Sequence, residues 1–179
     1  AGTTSKSRGL MVLNPDTADV VDRAGVIVGD RIRLLVMGGV KNAGSGCLCP
    51  EYTLLSSVLR NVRSLPDDIV LLDTPAGLEH FGRAVAEGFD LALIVTDSSH
   101  NAVTVAHDLA RLARQSGIRD QVLVVNQVKE GSSLLKVRSR SSAVFPRIFS
   151  LPHDPCVPRY EPSVTPMIGS DCRVVEAVR

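Results

Sequence analysis

Apolar residues along this chain gather in short continuous runs, and the runs are separated by longer segments with helical spacing. The runs are Leu10 to Leu13, Ile32 to Met37, Ile69 to Leu72, Leu91 to Thr96, Val122 to Val125 and Arg147 to Phe149. Apolar runs without strict alternation predict strands covered on both faces of a sheet. Between them lie helix candidates at about Pro50 to Val62, Glu79 to Glu87, Ala102 to Ser116 and Ser133 to Ser139. In the third, Val103, Ala106, Leu109, Ala110 and Ala113 recur every three or four residues and share one face. Gly117 stands where a helix closes in a left-handed C-cap. This alternation predicts an α/β domain with a mainly parallel sheet flanked by helices. Residues 1–9 are small and polar and read as a flexible N-terminal segment; residues 10–179 read as one domain. After Leu151 the prolines at 152, 155, 158, 162 and 166 predict an irregular surface path. The last residues before Arg179 read as an unfinished helix.

Composition narrows the function classes. The chain has 179 residues, 44% apolar and 22% charged, which suits one compact core. A net charge of +1, with aromatics at 3%, argues against nucleic acid, because neither a basic field nor a base-stacking platform is present. No apolar run approaches the length of a membrane span, and AGTTSKSRGL lacks a signal-peptide core. The expectation is a cytoplasmic protein with no membrane partner. Its four cysteines then read as metal, redox or core residues before disulfides.

The segment Asp67-Asp68-Ile69-Val70-Leu71-Leu72-Asp73-Thr74-Pro75-Ala76-Gly77 carries the clearest enzymatic pattern. Four apolar residues end in an aspartate, and a glycine-containing turn follows. In an open parallel sheet, ligands sit beyond the carboxyl ends of the strands. Asp73 there would orient the water shell of a magnesium ion. Gly77 would let its backbone N–H approach a terminal phosphate. A buried strand ending in an Asp-initiated turn has the same pattern. Asn126 follows Val122 to Val125 and offers a donor and an acceptor to a purine edge. The loop at Pro152, His153 and Asp154 could cover the base. Ordinary strand-to-loop chemistry also uses Asn and Pro at such ends.

In Lys41-Asn42-Ala43-Gly44-Ser45-Gly46-Cys47-Leu48-Cys49-Pro50-Glu51, two thiols stand at i and i+2, on the same side of an extended stretch. Pro50 and Glu51 suit a first helical turn, and a helix start at Cys49 favours its thiolate. Two thiolates do not close a zinc site, which takes four ligands. A second copy of the chain across a two-fold axis would supply the other pair, giving a metal at a homodimer interface. Two ordinary half-buried loop cysteines remain the alternative. Cys156 and Cys172 stand isolated and read as small core or surface residues. His80 reads as a switch or helix-start residue, and His100, His107 and His153 have no partner constellation.

GLMVLNP, RIRLLVMGGVKNAGSGCLCPE and VLLDTPAGLEHFGRAVAEGFDLALIV together resemble the CooC-type ATPases, MinD/ParA-like maturation factors of carbon monoxide dehydrogenase. The resemblance runs from about Gly9 to the end. It implies a P-loop NTPase fold and a dimeric ATPase that uses ATP with Mg2+. It implies Zn2+ or Ni2+ between protomers at Cys47 and Cys49, with Asp73 and Gly77 at the γ-phosphate end. Adenine contacts would lie near Asn126, Pro152, His153 and Asp154. The implied role is accessory to nickel insertion, with carbon monoxide dehydrogenase as partner. One family feature is missing from these residues: no G-x-x-x-x-G-K-[ST] loop stands among them. Gly38-Gly39-Val40-Lys41 is the nearest echo. The first two strand–helix units, roughly 60 residues, are expected to precede Ala1 in a complete member. A truncated form would not hydrolyse ATP. Two other readings are a non-catalytic dimeric metal-binding module and another MinD/ParA-like ATPase, such as an iron–sulfur carrier.

Overall fold

The computed structural model describes residues 20–37, 49–61, 67–77 and 87–179. The chain divides into two units, Ala1–Val85 and Ala86–Arg179.

The second unit holds the parallel sheet. Its strands are β3 (Leu91–Thr96), β4 (Asp120–Val128) and β5 (Arg147–Pro152), in the order β3-β4-β5. Leu91 pairs with Asp120 through to Thr96 with Val125, and Val122 pairs with Arg147 through to Val125 with Ser150. The crossovers run through α3 (His100–Gln115) and α4 (Gly131–Ser141), as the strand–helix alternation predicts. Ser99 caps α3, its hydroxyl accepting from the Ala102 N–H at 3.3 Å. At the other end, the Gly117 N–H bonds to Arg114 O and the Ile118 N–H to Ala113 O. This double closure needs a left-handed residue, and Gly117 has φ 91.

The core lies where α3 and α4 meet the sheet. Val103, Ala106 and Ala110 of α3 pack with Ile94, Leu123, Val125, Val137 and Phe145. The small alanines let the helix lie close to the strands, and Phe145 fills the space beside α4. Gln121 is also buried, and its side-chain amide donates to Ala110 O at 2.9 Å and Ile118 O at 3.0 Å. It thereby ties the C-terminal half of α3 to the start of β4.

The other face of the sheet departs from the expectation of strands covered on both sides. Leu91, Leu93, Val95 and Phe149 are exposed. β4 is the middle strand, and its continuous apolar run is largely buried. β3 instead alternates, with Ile94 and Thr96 in and their neighbours out, because among the described residues helices cover only one side of it.

The first unit contains α1 (Val20–Ala24), β1 (Val26–Val28), β2 (Ile32–Leu34) and α2 (Cys49–Asn61). The run Ile32 to Met37, expected as a strand of the parallel sheet, instead forms an antiparallel hairpin with β1 over Ile32–Leu34. The Gly29–Arg31 turn explains this: Gly29 has φ 61, and a short loop can reverse the chain but cannot make a parallel crossover. The run Ile69 to Leu72 carries no strand, and Ile69 and Leu71 are 84% and 85% exposed. An apolar run becomes a strand only with a neighbour to pair with, and no described residue pairs with this one. The helix expected at Pro50 to Val62 is α2; Leu10 to Leu13 lies outside the described residues, as does Glu79 to Glu87 apart from Glu87. The proline-rich tail is more regular than expected. It holds α5 (Val157–Tyr160), a 3-10 turn at Thr165–Gly169 and α6 (Arg173–Val178), which packs on β5. No helix among the described residues is long and apolar enough to cross a membrane.

Candidate functional site

Because β3, β4 and β5 are parallel and in register, their carboxyl ends open on one edge of the sheet, the place where α/β folds bind ligands. Asn126 lies at that edge on β4. Its Oδ1 accepts from the Gln127 N–H at 2.9 Å. Gln127 has φ 55, a left-handed conformation uncommon for a residue with a side chain. The register shifts between Val125 and Val128, so a bulge re-aims the strand just where Asn126 sits. Local backbone irregularity of this kind concentrates at binding sites.

The loop after β5 lies beside it. Val128 pairs with Pro152, and the His153 N–H donates to Val128 O at 2.9 Å. The structure thus brings Asn126, Pro152 and His153 to neighbouring strand ends. Asp154 is engaged differently. One carboxylate oxygen accepts from the Cys156 N–H at 2.9 Å and the other from the Val174 N–H at 3.1 Å. Those two backbone donors hold its carboxyl below the usual range.

Asp97, at the end of β3, was not singled out from sequence. Its Oδ1 accepts from the Ser99 N–H at 2.7 Å, and bonds from Ser99 lower its pKa. An apolar run ending in aspartate, LALIVTD, is the same signal that drew attention to Asp73. A depressed carboxyl pKa stabilises the fold above the unfolded value of about 4 and loses that contribution as pH falls through the folded value. Asp97→Asn is therefore expected to lower stability by up to about 1 kcal/mol at pH 7, a figure reduced for solvent exposure. The gap to wild type should close below about pH 4, which urea titrations across pH 3–7 would show.

Asp73 and Gly77 belong to the first unit, in the segment 67–77, and both are exposed. Gly77 has φ 113, and a Cβ there would meet nothing within 4 Å. The position therefore calls for glycine on conformational grounds alone. Cys49 is the first residue of α2, with Pro50 next, as the helix-start reading expects. Cys47 and His80 lie outside the described residues.

Cys156 and Cys172, read as isolated, are joined. They form a disulfide across 16 residues, with Cα atoms 5.9 Å apart. No local pattern foretells this pairing, because the contact depends on how the tail folds back: Asp154 grips the backbone beside both cysteines.

No family model matches the chain. Curated relatives do. An ATP-binding protein of Methanocaldococcus jannaschii is 39% identical over 125 residues, 69% of this chain and 48% of its own length. The carbon monoxide dehydrogenase accessory protein CooC of Rhodospirillum rubrum is 34% identical over 151 residues, 82% of this chain and 55% of its own. A second M. jannaschii ATP-binding protein is 31% identical over 101 residues, 56% of this chain and 40% of its own. The chain thus spans about half the length of the relatives it matches. It is therefore a homologue of CooC-type ATP-binding proteins, with a parallel sheet flanked by helices and similarity to CooC over four fifths of its own residues.

Proposed function

We propose that this chain is the nucleotide- and metal-handling part of an ATPase accessory to carbon monoxide dehydrogenase, acting as a dimer in nickel insertion. The observation that carries the reading is the strand-end edge where Asn126, Pro152 and His153 meet, in a relative of ATP-binding proteins. The Asn126 amide can exchange hydrogen bonds with a purine edge, and Pro152 offers a rigid apolar surface to its face. Asp73 would orient a magnesium ion and its water shell, and the Gly77 N–H would meet the terminal phosphate. Magnesium supplies charge neutralisation between the phosphates. ATP binding would favour one dimer arrangement over the other, and reciprocity requires metal and nucleotide to affect each other's affinity equally.

The thiols of Cys47 and Cys49 would hold the intersubunit metal, two from each protomer. Their chemistry fits: four thiolates close a tetrahedral zinc site, and thiolates also accept nickel. The start of α2 at Cys49 fits as well, because a helix N-terminus favours thiolate. Nickel bound there would be cargo rather than a resident group.

Elemental analysis combined with analytical ultracentrifugation tests this. The wild-type chain is expected to carry about one metal per two chains at this site and to sediment as a dimer. Cys47→Ser or Cys49→Ser should lower metal content and weaken the dimer together. Unchanged metal and mass in the double variant would remove the site. A dimeric metal module without nucleotide chemistry would instead keep the metal result and show no ATP binding.

A further inference from the structure

The Cys156–Cys172 pair has a third neighbour that a disulfide does not need. A carboxylate oxygen of Asp154 and the two sulfurs all lie within 4.8 Å of one another. Tetrahedral coordination with bonds of about 2.3 Å to sulfur sets donors roughly 4 Å apart. Once the S–S bond is broken, the two sulfurs must move apart to that spacing, which their Cα separation of 5.9 Å allows. We propose that, in the dithiol state, Asp154, Cys156 and Cys172 bind one soft divalent cation such as Zn2+, at a site distinct from Cys47 and Cys49.

Three features beyond proximity support this site. First, its donors are held in place by bonds other than the S–S bond. Asp154 accepts from the Cys156 N–H and from the Val174 N–H, so one carboxylate fixes the backbone beside both cysteines. Each carboxylate oxygen keeps a second lone pair, so this bracing leaves capacity for a metal. The Ser170 hydroxyl lies 2.9 Å from Cys172 Sγ and 2.7 Å from Met167 O, so rotation of its one proton away from the carbonyl lets it donate to a thiolate. Such outer partners orient ligands and tune them.

Second, the charges balance. Two thiolates and a carboxylate carry three negative charges, and a divalent cation leaves one. The Arg173 guanidinium, beside Asp154 in the same cleft, offsets it, and the exposed Asp171 carboxylate at the cleft adds one negative charge that favours a cation. Third, the cluster opens on a cleft of about 330 Å³ that also reaches Tyr160 and Ser170. Three protein ligands with an open side leave a fourth position for water or an exchanging donor, the pattern of a site that takes up and releases its ion.

The chemistry is reversible. A trialkylphosphine and one water reduce the S–S bond to two thiols, giving the phosphine oxide. Binding of the cation then releases two protons as both sulfurs become thiolates. A small-molecule disulfide, itself reduced to two thiols as the Cys156–Cys172 bond re-forms, would expel the ion.

The test uses the whole chain carrying Cys47→Ser and Cys49→Ser, reduced with tris(carboxyethyl)phosphine, and titrated with Zn2+ against a chromophoric chelator. About one Zn2+ per chain is expected, with both remaining thiols protected from Ellman's reagent. Co2+ in place of Zn2+ should give the intense near-ultraviolet absorption of a sulfur-to-cobalt bond. Cys156→Ser with Cys172→Ser should abolish binding, and Asp154→Asn should weaken it at least about tenfold. If the reduced chain binds no Zn2+ while its far-ultraviolet circular dichroism is unchanged, the proposal fails. It also fails if Zn2+ binds but leaves both thiols equally reactive, since the ion is then held elsewhere. Because the interface cysteines are absent from this variant, the outcome does not depend on the intersubunit site.

Discussion

Replacing Phe145 by alanine is expected to destabilise the second unit by about 3–5 kcal/mol, the range for removing a fully enclosed aromatic ring. Phe145 is 1% exposed and is the largest fully buried side chain described. It packs in the cluster with Val103, Leu123 and Val137, and its ring lies 6.0 Å from that of His107 at a tilt of 46°. His107 is itself placed by a 3.0 Å contact between Nε2 and the hydroxyl of buried Ser141. Its neighbours Val103, Leu123 and Val137 belong to α3, β4 and α4, whose backbone bonds limit collapse into the space the ring leaves. A domain of this size is commonly stable by only 5–15 kcal/mol, roughly, so the loss would consume much of the margin. Phe149→Ala supplies the internal comparison: the same residue type, 59% exposed, should cost no more than about 0.5 kcal/mol. Urea unfolding followed by circular dichroism, with amide exchange in β4, measures both. Equal losses at the two positions would mean that burial of Phe145 is not what holds this core.

The second large effect concerns chemistry. In a protein that also carries a phosphate-binding loop, Asp73→Asn is expected to lower magnesium-dependent ATP turnover by at least about a hundredfold. Metal-assisted charge neutralisation is worth several kcal/mol, and each 1.4 kcal/mol, approximately, is a factor of ten in rate. The 179-residue chain alone should show no turnover, since no G-x-x-x-x-G-K-[ST] loop stands among its residues. Asp73 is exposed, so its amide variant should fold like wild type. Phosphate release, measured at saturating ATP over a magnesium series, gives the result. A variant that retained full rate would take Asp73 out of the metal-binding role.

What could be read in advance follows from which forces are local. α3 was legible because its buried face repeats at helical spacing and Gly117 closes it. β3, β4 and β5 were legible as apolar runs between helices. The hairpin of Val26–Val28 with Ile32–Leu34 also left a signal: VIV and IRL flank a glycine-bearing turn. The longer apolar run Ile32 to Met37 masks that signal, because it extends beyond the three residues that pair. Ile69 to Leu72 shows the opposite limit, since apolar character does not supply a pairing partner. At the candidate site, Asn126 and Pro152 were legible as residues at strand ends. The bulge at Gln127 was not, because it arises from pairing register between strands. The Cys156–Cys172 contact was invisible for a similar reason, being set by a carboxylate two residues from one cysteine and eighteen from the other.

The strand order β3-β4-β5 repeats the order of the chain, and this shapes how the unit can assemble. Paired residues such as Leu91 with Asp120 and Val122 with Arg147 stand only about 25–30 positions apart. Parallel pairing is slow when it must close long loops, and here each loop is short and filled by a helix that docks on the strands it joins. β3, α3 and β4 already contain Ile94, Val103, Ala106, Leu123 and Val125, most of the buried cluster. A nucleus made of those three elements can therefore bury apolar surface before β5 arrives, and β5 then adds to an existing edge of β4. Native-like structure in this unit would thus spread along the chain from its first crossover, each step leaving a template for the next.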